Sequence, residues 1–222
     1  MERLIAPLAP FYCLSCSKIG YVLCPDCQND CLESPPSRCY RCHRATMQYQ
    51  VCVKCRKSSL LKHVWVTAPY SGIAKEVVEA MKFERAGSAS NDIARHMTEL
   101  LPLLDSDTIV CHIPTAPKRI RVRGYDQARL IAKSIAKQRG YSFMPVLNRV
   151  SSTRQLGASR EERFAQAKQA FELSKRYDIN GKNVLIVDDV TTSGATIEAA
   201  AKILNKHGSN IVDAVVFAQA ME

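Results

Sequence analysis

The 222-residue chain has no run of about 18 or more apolar residues, which excludes a membrane-spanning helix. It has no low-complexity tract, and no internal repeat beyond its cysteine pairs. Residues 1–12 are mildly apolar, hold two prolines and lead straight into cysteines. They do not read as a secretory signal, and a cytoplasmic location is expected. Acidic side chains are the scarce class: 21 Asp and Glu against 31 Lys and Arg leave a net charge of +10. The excess is uneven. Residues 1–62 carry 9 basic and 4 acidic side chains, and residues 114–163 carry 12 and 3. Two basic regions on one small protein suggest a polyanionic partner. A merely soluble basic surface is the alternative, because charge alone says little about specificity.

Cysteine is the abundant exception. Eight of ten fall in four C-x-x-C pairs: Cys13/Cys16, Cys24/Cys27, Cys39/Cys42 and Cys52/Cys55. Each pair sets two thiolates on one tight turn, and two turns complete the four-sulfur tetrahedron that structural zinc prefers. A single pair could be a redox motif; four within 55 residues point to metal. Two structural zinc ions are expected. Sequential sharing gives Cys13, Cys16, Cys24 and Cys27 for one ion and Cys39, Cys42, Cys52 and Cys55 for the other; cross-braced sharing is the alternative. Pro35 and Pro36 look like a hinge between two ribbons. A module this short buries little core, so metal must supply much of its folding energy. Cys31 reads as a spare buried thiol and Cys111 as a buried strand residue.

Beyond residue 60 the pattern becomes α/β. The periodicity predicts strands at 63–69, 108–113, 144–150, 183–187 and 211–218. It predicts helices at 73–83, from Ser90 or Asn91 to Leu101, at 125–139, 160–168 and 195–207. Alternation of this kind implies a mainly parallel sheet with helices on both faces. The expected division is a double zinc-ribbon module at 1–60 and an α/β domain at 61–222.

The most informative stretch is Val184-Leu185-Ile186-Val187-Asp188-Asp189-Val190-Thr191-Thr192-Ser193-Gly194-Ala195-Thr196. Four apolar residues make a buried strand. Two carboxylates follow at its C-terminal end, where open α/β sheets place ligands. Small hydroxyl residues and a glycine then let backbone N–H groups close round a phosphate at a helix N-terminus. The carboxylates would repel that phosphate, so they suit sugar hydroxyls or a metal. Taken singly, each piece could be only a turn or helix cap.

This pattern resembles the type I phosphoribosyltransferases. The resemblance implies that Asp188 and Asp189 contact the ribose hydroxyls of phosphoribosyl diphosphate. It implies that Thr191, Thr192, Ser193, Gly194, Ala195 and Thr196 hold the 5′-phosphate, and that magnesium accompanies the diphosphate. Other blocks extend the likeness: the cysteine pairs, Tyr70-Ser71-Gly72, Met81-Lys82-Phe83, Ile113-Pro114, Arg123-Gly124-Tyr125-Asp126-Gln127-Ala128, Gln155, Arg163 and Ala170-Phe171. In that order they resemble the ComF family of competence-associated, phosphoribosyltransferase-like proteins, over nearly the whole chain. Asp126 stands where that family more often has Asn. The likeness assigns Pro114–Gly124, with Lys118, Arg119, Arg121 and Arg123, to a diphosphate loop. It assigns Ser151–Arg163, with Arg154, Arg160 and Arg163, to a mobile loop over the substrate. Arg119, Arg121, Arg123 and Arg154 are thus candidate diphosphate ligands.

Phosphoribosyl transfer leaves positive charge on the ribose as diphosphate departs, so it needs that leaving charge held by magnesium and basic groups. No residue announces itself as a general base. Two functions follow. The ComF resemblance implies uptake of single-stranded DNA during natural transformation, with a helicase-like ATPase as partner. Basic ribbons and loops fit strand binding by backbone contacts, and Tyr12, Tyr21, Tyr40 and Tyr49 could stack on bases. The alternative is a phosphoribosyltransferase acting on an unknown small-molecule acceptor, such as a nucleobase.

Overall fold

The computed structural model describes residues 11–83, 86–150 and 170–220, without the side chains of 82, 83 and 86–88. Expectations for Arg154, Gln155, Arg160, Arg163, the 160–168 helix and the Lys82 side chain lie outside the described residues.

Five strands form one parallel sheet in the order β1-β7-β6-β2-β3. They are β1 (Val64–Pro69), β2 (Ile109–His112), β3 (Ser142–Phe143), β6 (Val184–Thr191) and β7 (Val212–Gln219). The central strands are mostly apolar, as burial on both sides demands, and β7 is buried along its whole length. Alternate residues feed two cores. On one face Val110, Leu185, Val187, Val215 and Phe217 pack with helices α3 (Gly72–Phe83), α4 (Ala86–Leu100) and α6 (Gln127–Arg139). On the other, Ile109, Cys111, Val184, Ile186, Ala214 and Val216 pack against α7 (Ala195–Lys206). A short antiparallel pair, β4 (Leu147–Arg149) and β5 (Phe171–Leu173), joins this second core.

The cysteine-rich segment carries two short helices, α1 (Pro25–Cys31) and α2 (Val53–Arg56), and straddles the sheet. Cys13, Cys24 and Cys27 belong to the first core, whereas Cys39 and Cys52 belong to the second. Between them the chain crosses the β1 edge, where the Ser34 hydroxyl donates to the Thr67 carbonyl at 3.0 Å. The first half is fastened by Asp92 of α4, whose carboxylate accepts from the Val22 and Leu23 N–H groups at 2.7 and 3.1 Å.

Several sequence expectations need correction. The basic stretch 114–124 is not all loop: Pro117–Arg123 is a helix, α5, opened by proline and closed by left-handed Gly124 at φ 82°. Helix α4 begins at Ala86, not at Ser90 or Asn91, because Ser90 is buried within it rather than capping it. The strand expected at 144–150 is shortened to β4 at Leu147–Arg149, and a separate strand, β3, precedes it at Ser142–Phe143; Pro145, which has no N–H to donate, lies between them. Cys31 is exposed, not buried, with Ser15 Oγ 3.6 Å from its sulfur. Cys111 is fully buried, and burial pushes its thiol up to about 12. No helix among the described residues is long and apolar enough to cross a membrane.

Candidate functional site

Strand order locates the site. From β2 the chain runs through α6, on one face, outward to β3; from β6 it runs through α7, on the opposite face, to β7. The crevice beyond the C-terminal ends of β2 and β6 is therefore a topological switch point, where open parallel sheets bind ligands. A cavity of about 310 Å³ opens there, lined by Pro114, Thr115, Ala116, Arg119, Arg123, Gln127, Arg149, Asp188, Asp189, Val190 and Thr196. A larger cavity, about 480 Å³, lies at the opposite ends of the strands beside His63 and Trp65, and neither Asp188, Asp189 nor the loop 191–196 lines it.

Asp188 and Asp189 extend β6 past its apolar half, with Asp188 pairing to Val216 in the ladder. Asp188 is buried. Burial, followed by the neighbouring Asp189 charge, holds its carboxyl well above the ordinary value of 3.8. Its Oδ1 accepts the Asp189 N–H at 3.0 Å, and Asp189 Oδ1 accepts the Val190 N–H at 2.8 Å. Thr191 closes the strand, paired with Gln219. Gly194 then takes a left-handed conformation, φ 79°, as the N-cap of α7. Thr192, Ser193, Ala195 and Thr196 are exposed around it. The loop thus offers amide donors and hydroxyls at a helix N-terminus, an arrangement that favours an anion.

Positive charge meets the carboxylates from the other wall. Arg119 and Arg123 line the cavity; Arg121 is exposed and does not line it. Two further lining residues escaped sequence reasoning. Arg149, at the end of β4, donates to the Pro114 carbonyl at 3.2 Å and lies 5.4 Å from the Phe171 ring centroid. Gln127 is buried, accepts a hydrogen bond from Arg123, and its amide nitrogen has no protein partner. Only the position of Gln127, in the Arg-Gly-Tyr-Asp-Gln block, signalled it. Asp126 is the N-cap of α6, accepting from Arg129 N–H at 3.2 Å and from Thr115 N–H at 2.9 Å. Burial opposes its charge, but His112 and these amides prevail and lower its pKa.

The thiols group in sequential order. Cys13, Cys16, Cys24 and Cys27 form one cluster and Cys39, Cys42, Cys52 and Cys55 the other, each with its sulfurs within 4.8 Å of one another. Tetrahedral Zn–S bonds of about 2.3 Å place sulfurs about 3.8 Å apart. Cys16–Cys24 at 3.7 Å and Cys42–Cys52 at 3.6 Å match that spacing, so both clusters fit a zinc ion. Burial works against the Cys13 thiolate, yet the amides of Cys16 and Cys24 prevail and lower it to about 6. The Cys55 amide lowers Cys52 to about 7. Of the tyrosines considered for base stacking, Tyr40 is buried and cannot serve, while Tyr12 is exposed.

A family profile described as "Phosphoribosyl transferase domain" matches residues 128–222. The chain is 25% identical to competence protein ComFC of Bacillus subtilis over 84% of its length and 79% of that protein's. It is 28% identical to competence protein F of Haemophilus influenzae, covering 89% and 92%. It is 25% identical to the DNA utilization protein YhgH of Escherichia coli K12, covering 76% and 77%.

Proposed function

Because the chain belongs to the ComF family of phosphoribosyltransferase-like proteins, we propose that it binds phosphoribosyl diphosphate with magnesium at the β2–β6 crevice and acts in the uptake of single-stranded DNA. The observation that carries the ligand reading is convergence on one cavity. The acidic pair Asp188 and Asp189 with Thr196 at the α7 N-terminus, and Arg119 and Arg123 of α5, line it from two separate segments of the chain. Each part matches a part of the ligand. The loop 191–196 suits the 5′-phosphate, the carboxylates suit the ribose hydroxyls, and Arg119, Arg123 and Arg149 suit the diphosphate. Asp188 and Asp189 are oxygen donors of the kind magnesium accepts, and that ion would neutralise diphosphate charge between them and the arginines. Arg121, exposed and outside the cavity lining, is available to a longer polyanion.

The DNA reading is supported by the competence and DNA-utilization relatives and by the basic surface. Helix α5 carries Lys118, Arg119, Arg121 and Arg123 within seven residues and no acid. A single strand lying across it would be held by its phosphates rather than its sequence. A helicase-like uptake ATPase is the partner this role calls for. The reading is tested by fluorescence anisotropy of a labelled single strand at several salt concentrations, with and without phosphoribosyl diphosphate. Tight, salt-sensitive binding supports it, and no binding at low salt overturns it.

A further inference from the structure

The second cysteine cluster touches the phosphate loop through one side chain. Tyr40 sits between cluster cysteines Cys39 and Cys42 and is only 2% exposed. Its ring lies against Gly194, so closely that a Cβ on residue 194 would overlap it. Glycine is thus required there twice: for φ 79° and for room beside the ring. The Tyr40 hydroxyl donates to the carboxylate of Glu198, in the first turn of α7, whose own N–H is bonded to the Gly194 carbonyl at 3.0 Å. The Tyr40 carbonyl accepts from Gln219 Nε2 at 2.9 Å, and the same amide donates to the Thr192 carbonyl at 3.3 Å. Ring, hydroxyl and carbonyl therefore bear on three points of one loop: Gly194, Glu198 and Thr192.

We propose that Tyr40 is a positioning residue for the phosphate loop, and that metal binding at Cys39, Cys42, Cys52 and Cys55 is coupled through it to ligand binding at Thr191–Thr196. The ligand half of this proposal rests on the sugar-phosphate reading above. The turn that presents Tyr40 is closed by Cys39 N–H to the Arg44 carbonyl and His43 N–H to the Cys39 carbonyl, both at 2.8 Å. Metal ties both ends of that turn, and in so small a module metal loss unfolds the local structure. The ring and carbonyl then leave Gly194 and Gln219, and the loop loses the wall that fixes its shape. The first cluster provides an internal control. It is fastened to Asp92 of α4 and packs into the opposite core. Coupling is reciprocal: a ligand that favours the ordered loop also tightens metal binding at the second cluster, but not at the first.

Hydrogen exchange read by mass spectrometry tests this on the full, metal-loaded chain. The proteins are native, Tyr40→Phe, Tyr40→Ala, Cys42→Ser and Cys16→Ser, with Ile109–His112 of β2 as a reference for global integrity. Tyr40→Ala and Cys42→Ser are expected to speed exchange across Ser193–Glu198 roughly tenfold or more while β2 keeps its protection. Tyr40→Phe keeps the ring and carbonyl, and so is expected to speed only the amides near Glu198. Cys16→Ser is expected to leave Ser193–Glu198 unchanged. Native-like exchange in both Tyr40→Ala and Cys42→Ser would overturn the proposal, as would equal acceleration by Cys16→Ser. Should Tyr40→Ala lose its fold, Tyr40→Phe and Cys42→Ser decide: native-like exchange across Ser193–Glu198 in both would overturn the proposal. No calorimetric binding of phosphoribosyl diphosphate to the native protein would count against the function proposed above, whereas these exchange rates judge Tyr40 without any ligand.

Discussion

The Asp126 carboxylate accepts the Thr115 N–H at 2.9 Å and so fastens the turn after β2 to the start of α6. Its other oxygen takes the Thr115 hydroxyl at 3.1 Å and caps the helix at Arg129. One side chain thereby fixes both ends of the segment that carries Arg119 and Arg123. Asp126→Ala is expected to cost about 1–2 kcal/mol, from the lost cap and the unpaired Thr115 N–H. Asp126→Asn keeps an acceptor and is expected to cost less. The pKa of Asp126 is lowered on folding, so its charge stabilises the fold above the ordinary value of 3.8 and that contribution fades as pH falls through the lowered one. Urea unfolding at neutral and acid pH checks both: the gap between native and Asp126→Asn should narrow in acid.

Asp188 behaves in the opposite sense. Its folded-state pKa is raised, so below 3.8 both states are protonated and no penalty exists. As pH rises from there through the raised value, the unfolded chain ionises first and the fold loses stability. Ligand-free Asp188→Asn is therefore expected to be more stable than the native protein at neutral pH, and about equal to it in strong acid. Denaturant midpoints across pH decide this. A neutral-pH loss of stability in the variant would contradict the burial argument.

Denatured protein is expected to release about two zinc ions per chain, measured with a colorimetric chelator. Cys13→Ser and Cys52→Ser, made separately, should each reduce the count by about one. A count of one or none for the native chain would contradict two four-sulfur sites.

Replacing Arg119, Arg121 and Arg123 together with Ala is expected to weaken single-strand binding at every sequence tested. The slope of log affinity against log salt should fall by about 2, as three lost phosphate contacts imply. An unchanged slope would place the strand elsewhere on the protein.

How much of this was legible in the sequence depended on separation along the chain. The strand, acidic pair and phosphate loop at 184–196 are contiguous, so their residue types alone define β6, its carboxylates and the cap of α7. The cysteine clusters were legible for the same reason. The four basic residues of helix α5 give it the composition of a solvated loop. The proline at its start and Gly124 at its end were the available signal. Asp126 could likewise have been read as a cap before Gln127-Ala128-Arg129. Nothing local could reveal that Tyr40 meets Gln219, 179 residues away, because only the closed sheet brings β7 beside the second cluster. Arg149 reaches the cavity from β4, which pairs with β5 outside the main sheet.

Calorimetric titration of phosphoribosyl diphosphate with magnesium into folded, zinc-loaded protein tests the central claim most directly, alongside the Asp188→Asn/Asp189→Asn variant. Saturable binding to the native protein is predicted, weakened at least about 100-fold in the variant, or about 2.8 kcal/mol. No binding to the native protein, or equal affinity in the variant, would contradict the assignment of the β2–β6 crevice as a sugar-phosphate site.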